Sequence, residues 1–182
     1  MGAVLPYTPH LLVLPLLLSR DASEEPAIAL LARELGEIDR VGRAIDFSFT
    51  RYYEEEMGEG LVRLFFYARS LLDPARLPRI KLLTNEVEQC LARGHNRVVN
   101  IDPGLLCESR FVLATTKDSS HRIPIGKGIY AEVTLVYERG EFRPLEWTYP
   151  DYRSPAYRGI LKEMRGRYRK LLRMQSGDTH FR

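Results

Sequence analysis

The stretch NIDPGLLCESRFVLATTKDSSHRIPIGKGIYAEVTLVYERGEFRPLEWTYPDY, residues 100–152, decides the fold, because after Gly104 it carries strand patterning alone. Arg110–Thr116 and His121–Ile125 read as strands. Gly126-Lys127-Gly128 reads as a hairpin turn from which Ile129–Tyr137 returns. On that return Ile129, Ala131, Val133 and Leu135 alternate with Tyr130, Glu132 and Thr134, which predicts an apolar and a polar face. Arg139-Gly140 then turns the chain into Glu141–Leu145. Asn100-Ile101-Asp102-Pro103-Gly104 reads mainly as turn chemistry that reverses the chain, with Pro and Gly placed for it. An antiparallel β-meander is the expectation for this half.

Upstream the pattern alternates between strand and helix. Leu11–Leu18 is an unbroken apolar run that suits a fully buried strand. Ser23 can cap a helix with Glu24, Glu25 and Pro26 in its first turn, Ile28, Leu31 and Leu35 on its apolar face, and Gly36 at its end. Ile45, Phe47 and Phe49 alternate with polar residues as in a half-buried strand, and Leu61–Tyr67 is a second strand-like run. Asp73-Pro74 opens another helix, which Pro78 restarts or kinks, with Ile80, Leu83, Val87 and Leu91 along its stripe. Arg97–Ile101 closes the series as a short strand. The order β-α-β-β-α-β is that of a ferredoxin-like, split βαβ unit.

Ser154-Pro155 starts a last helix to about residue 173, with Gln175–Arg182 expected to fray. The predicted class is therefore α+β: a ferredoxin-like βαββαβ first part, an antiparallel extension and a basic C-terminal helix. With 182 residues, no Gly/Ser/Pro-rich linker and no repeat, one domain over 1–182 is expected, its ordered core spanning about 10–173.

Composition narrows the classes. With 45% hydrophobic and 28% charged residues the chain is of ordinary globular make-up, not disordered. Cys90 and Cys107 show neither CxxC nor Cys/His metal spacing, and they read as reduced thiols of a cytoplasmic protein. The run Leu11–Leu18 has no preceding Lys or Arg, no A-x-A pattern after it, and is too short to span a bilayer, so no membrane partner is expected. The net charge of +3 hides an asymmetry: Arg153–Arg182 holds nine basic and two acidic residues. Arg158, Lys162, Arg165, Arg169 and Arg173 form a stripe on the last helix, either a solvated face or a contact for RNA or another polyanion.

The densest chemistry lies between residues 100 and 152. Lys117-Asp118-Ser119-Ser120-His121-Arg122 joins two predicted strands, where loops on a rigid sheet concentrate function. There Lys117 and Arg122, with Lys127 on the following turn, are candidates to bind an anion. His121 is a candidate proton carrier, with Asp118 beside it. The alternative is a tight turn in which Asp118 and Ser119 bond to backbone. Glu132 is either a general base on a site wall or a residue on the solvent side of the sheet. Asp102 and Glu132 are the carboxylates placed to ligate a metal, although no Asp/Glu/His spacing matches a metal motif. Tyr149 and Asp151, in the Trp147–Tyr152 segment, are candidate ligand contacts, as Tyr52 and Tyr53 are, or else rim packing. There is no GxxxxGK[ST] loop, GxGxxG, GxSxG or HExxH, and the sequence leaves the cofactor unknown.

Taken in order, Ile45–Gly58, IKLLTNEVE, VNIDPG, LATTKDSSHRI, GIYAEVTL and WTYPDYRS resemble the domain-of-unknown-function 4416 family of bacterial proteins, over about residues 10–173. The resemblance implies no activity. From the residues, the leading expectation is a small cytoplasmic enzyme or ligand-binding protein for an anionic, nucleotide or phosphate-ester-like molecule. The alternatives are a polyanion binder using the basic helix and an interaction protein using the tyrosine-rich loops. Nothing indicates an oligomeric state.

Overall fold

The computed structural model describes residues 2–175 and 177. Its centre is β1 (Leu11–Leu18), in which every residue is buried. The reason is that helices cover both faces of this strand. Leu12, Leu14, Leu16 and Leu18 pack against α1 (Glu25–Leu35) and α3 (Leu77–Leu91) through Ala27, Leu31, Leu77, Ile80 and Val87. Leu11 and Val13 point the other way, into a cluster with Phe65 and Tyr67 of β3 (Val62–Ala68) and Tyr157, Leu161, Met164 and Tyr168 of α5 (Pro155–Gln175). A strand buried on both sides reads as an apolar run with no alternation.

The first half has the expected order. After β1 and α1 come β2 (Ile38–Asp46), a short α2 (Glu54–Met57), β3, α3 and β4 (Val99–Ile101). β1 pairs antiparallel with β3 and β4, and β2 pairs with β3. These pairings are the ones that two interleaved split βαβ units require. Local signals placed the helices: Ser23 Oγ accepts from Glu25 N, and Gly36 ends α1 at φ 79°. Asp73 Oδ1 accepts from Ala75 N to open a 3₁₀ turn that runs directly into α3, with Pro78 in the first turn of that helix and no kink.

The second half adds β5 (Gly104–Leu106), β6 (Arg110–Thr115), β7 (Ile123–Gly126), β8 (Ile129–Glu138), β9 (Glu141–Pro144) and a short α4 (Pro150–Arg153) before α5. The whole is a nine-stranded antiparallel sheet ordered β2-β3-β1-β5-β6-β8-β7, with β4 on β1 and β9 on β8. The chain is α+β. Lys127 at φ 57° and Arg139 at φ 50° sit in the two hairpin turns expected there. The strands are not strictly sequential in space. The loop after β6 carries the chain past β8, so that β7 and β9 share the far edge of that strand.

Several sequence expectations are corrected. The alternation at Ile45, Phe47 and Phe49 does not extend a strand: β2 ends at Asp46, and Phe47 and Phe49 stack edge-on in the loop beyond it. Burial does not follow the two faces assigned to β8. Glu132 and Thr134 of the polar face are buried along with Ile129 and Leu135 of the apolar one, whereas Ala131 and Val133 are only half-buried. A bulge between the pairs Phe111–Leu135 and Val112–Val133 adds a residue to β8 and breaks the simple alternation. The expected fraying of the C-terminus falls mostly outside the described residues, although Gln175 is still helical. Among the described residues no helix is long and apolar enough to cross a membrane.

The largest correction concerns NIDPG, which does not reverse the chain. β4 pairs with Leu16–Leu18 and β5 with Leu11–Val13 in one unbroken register, so together they form a single interrupted strand along β1. The interruption places Asp102-Pro103 beside Leu14-Pro15 of β1, and neither proline has an N–H to give to the ladder. Asp102 N donates to Pro15 O across the break, at 3.0 Å. Gly104 serves close packing: a Cβ there would lie 2.6 Å from the Phe111 ring and 2.8 Å from Val112 O.

A polar cleft where the sheet divides

β6 follows β5 only as far as Gly104–Leu113, with one further bond from Ala114 N to Pro103 O. Beyond it, β4 and the end of β6 separate. The free edge of β4 is closed by side chains of α3: Glu88 Oε1 accepts from Ile101 N at 2.8 Å, and Lys81 Nζ donates to Ile101 O at 3.0 Å. A cleft of about 740 Å³ occupies the division. Asn100 and Asp102 form one side, and Ala114–Lys117 with Glu132 form another. Lys81, Asn85 and Glu88 close it from α3, Tyr149–Tyr152 from α4, and Phe47, Phe49, Tyr52 and Tyr53 from the β2–β3 connection. Its volume lies in the range of small-molecule sites.

The floor is a continuous charged network. Arg63, only 2% exposed, projects from β3 and donates to Asp102 Oδ2 at 3.1 Å and to Asp151 Oδ2 at 3.3 Å. Its guanidinium also lies 5.5 Å from the centre of the Phe47 ring. Asn100 Nδ2 donates to the same Asp102 oxygen and its Oδ1 accepts from Arg97, which in turn is held by Glu56 and Glu88. Burial opposes the charge of Arg63, but Tyr152, Asp102, Tyr157 and Asp151 around it outweigh that effect and raise its pKa. Burial also pushes Asp102 upward, yet the charges of Arg63 and Lys81 and its hydrogen bonds prevail and hold it below the usual aspartate range. For Asp151 burial wins over Arg63, with repulsion from Asp102 added, and its pKa is raised. Glu88 is raised as well, burial again dominating over Lys81 and its hydrogen bonds. Burial lifts the phenol of Tyr157 to about 12 and that of Tyr152 well above its normal value. Two carboxyls on one guanidinium are thus driven in opposite directions, Asp102 downward and Asp151 upward.

The rim is aromatic and carries one ammonium. Lys117 Nζ donates to Tyr52 Oη at 3.2 Å and lies 4.7 Å from the centre of that ring, with no carboxylate paired to it among the described residues. Its loop is fixed from behind. Arg122 Nε donates to Glu132 Oε2 at 2.8 Å, while its other nitrogens donate to Lys117 O and Tyr149 Oη at 2.9 and 2.7 Å. His121 Nε2 lies 3.3 Å from the same Glu132 oxygen, and its ring stacks on Trp147 at 5.2 Å. The salt bridge Arg122–Glu132 therefore clamps the β6–β7 loop to β8 and α4.

Of the candidates read from sequence, Lys117, Glu132, Tyr149, Asp151 and Asp102 line the cleft. His121 and Arg122 stand behind its wall, joined to it through Glu132. Two candidates lie elsewhere: Asp118 is exposed and accepts from Ser119 N within its turn, and Lys127 is exposed at the β7–β8 hairpin. Asp102 and Glu132 are each engaged by an arginine, and among the described residues no group of three or more His, Cys, Asp or Glu is arranged to hold a metal. Sequence reading missed Arg63, Lys81, Asn85, Glu88, Arg97 and Asn100. The available signal was an arginine within the otherwise apolar run Leu61–Tyr67. On α5, Arg158 donates to Phe142 O, Arg165 donates to Glu108 O while stacking on Tyr137, and Arg169 pairs with Glu108.

Fold and site together define an α+β protein with a preformed polar cleft at a division in its sheet. The family model that describes a domain of unknown function, DUF4416, matches residues 8–168, and the chain belongs to that family. No curated protein and no solved structure matches it.

Proposed function

We propose that this protein is a small enzyme or ligand-binding protein whose cleft takes an anionic molecule of the nucleotide or phosphate-ester class. The observation that carries the reading is Lys117. It is an ammonium at the mouth of the cleft with no carboxylate among the described residues paired to it, set between aromatic side chains. An anionic group placed there meets a cation whose only polar side-chain contact among the described residues is a tyrosine hydroxyl. Tyr52, Phe49 and Tyr149 offer exposed ring faces on which a planar base or a sugar can rest. Arg122, His121 and Glu132 act as positioning residues that hold the Lys117 loop. Asp102 and Asp151 supply an ionised acceptor and a group whose proton is held more tightly.

The polyanion reading draws less support, because three of the five basic residues on its proposed stripe are engaged by acceptors of the protein itself. A thermal-shift screen against nucleotides and phosphate esters, run on the wild type and on Lys117→Ala, tests the proposal. Ligand at a hundred times its dissociation constant stabilises by about 2.7 kcal/mol, or roughly 5–10 °C for a chain of this size. The expected result is such a shift, lost in Lys117→Ala. No shift across the panel, or an undiminished shift in the variant, overturns it.

A further inference from the structure

We propose that the floor of the cleft is a subsite for the vicinal hydroxyls of a sugar ring, so that the ligand is a ribose-type phosphate with its anionic group at Lys117. This rests on the phosphate-ester reading above and specifies the other end of the same molecule. Three residues that line the cleft have hydrogen-bonding capacity that the described residues do not use. Asp102 accepts from Arg63 and Asn100 through Oδ2; Oδ1 accepts no hydrogen bond from the described residues, and the side chain is 26% exposed. Tyr152 is 2% exposed and lines the cleft, and its hydroxyl has no hydrogen-bond partner among the described residues. Asn85, on the α3 side of the cleft, makes no hydrogen bond from its amide to the described residues.

An anion does not suit this floor, because Arg63, Lys81 and Arg97 are each already paired there with carboxyl groups of Asp102, Asp151, Glu88 or Glu56. A neutral group that both donates and accepts suits it. A hydroxyl gives its proton to the carboxylate oxygen and receives one from the phenol or the amide, and two adjacent hydroxyls engage all three groups. Buried polar groups with unused valences are strained until filled, which is the physical basis on which a site selects a hydroxyl and rejects its absence. Aromatic walls around such a floor cover the apolar faces of a sugar ring. The rim ammonium and the floor acceptors then read two chemically different ends of one molecule.

The test compares ribose 5-phosphate with 2-deoxyribose 5-phosphate, and inorganic phosphate with both, by calorimetric titration of the full chain. The expected result is ribose ester binding roughly ten- to a hundredfold more tightly than the deoxy ester, the range for a hydrogen bond to a charged group. Asn85→Ala, which removes no side-chain bond to the described residues, and Asp102→Asn should both shrink that ratio. Lys117→Ala should weaken both esters alike and leave the ratio standing. Equal binding of the two esters by the wild type, or a ratio unchanged in both floor variants, overturns the subsite while leaving the phosphate-ester reading intact. Binding of no ester at all overturns both. Asp102→Asn also removes charge beside Arg63, so the wild-type comparison and Asn85→Ala carry the decision if that variant is unstable.

Discussion

Replacing Arg63 by methionine isolates the energetics of the cleft floor. The guanidinium is 2% exposed and bridges two carboxylates at 3.1 and 3.3 Å. At an effective dielectric near 20 each such pair is attracted by about 4 kcal/mol before desolvation is subtracted. Removing one partner of a buried pair costs about 3–5 kcal/mol, because the charge left behind has no water and no counterion. Here two carboxyls lose their common partner, so a loss at the upper end, about 4–5 kcal/mol, is expected at pH 7. That is a third or more of the stability of a typical domain. The sign with pH follows. Asp102 has a lowered pKa in the folded protein, so its contribution is present above the ordinary aspartate value of 3.8 and is lost as pH falls through its folded value. Without Arg63 both carboxyls shift upward, and protonation relieves them, so the deficit should shrink as pH falls from 7 toward 4. Urea denaturation at several pH values measures it. A deficit below about 1 kcal/mol at pH 7, or one independent of pH, would refute the account. Joint replacement of Arg63, Asp102 and Asp151 by apolar residues should recover much of the loss.

Other substitutions probe other parts of the design. Gly104→Ala places a methyl against Phe111 and Val112 O, and denaturation should show about 1–3 kcal/mol of destabilisation from this overpacking. Glu88→Ala leaves Ile101 N, Arg97 and Lys81 short of a buried acceptor and should destabilise by about 2–4 kcal/mol. Glu88→Gln, which keeps the oxygen on Ile101 N, should lose clearly less, and equal losses would count against the edge-closing role. Burial works to raise the thiol of Cys107, but hydrogen bonds from His10 and Ser109 outweigh it and bring it to about 6. The rate of its alkylation should therefore rise through that pH, and His10→Ala should move the midpoint upward; an unmoved midpoint would refute the pairing. Acidification from pH 7 toward 5 should not destabilise the fold through Asp151 and Glu88. Their raised values mean that their charged forms are the penalised ones, so urea midpoints should hold or rise.

Local signals were legible and long-range ones were not. The double-sided burial of Leu11–Leu18, the proline-led starts of the helices and the Gly-Lys-Gly hairpin each follow from a few adjacent residues, and the structure carries them as expected. Lys117, Glu132, Tyr149, Asp151 and Asp102 stood out as polar residues in a strand-rich stretch, and they do meet in one cleft. Arg63 did not, because its partners lie 39 and 88 positions away and no local pattern announces them. The same holds for Lys81 and Glu88, whose role depends on a strand edge that only the assembled sheet exposes. The β8 faces were misassigned because a bulge is invisible to an alternation count.

Glu88 and Lys81 take from α3 the N–H and C=O that Ile101 would otherwise offer to a neighbouring strand. The free edge of β4 is thereby withheld from any added strand, whether from this chain or from another copy of it. The same two side chains that close one side of the cleft also guard the protein against association through that edge.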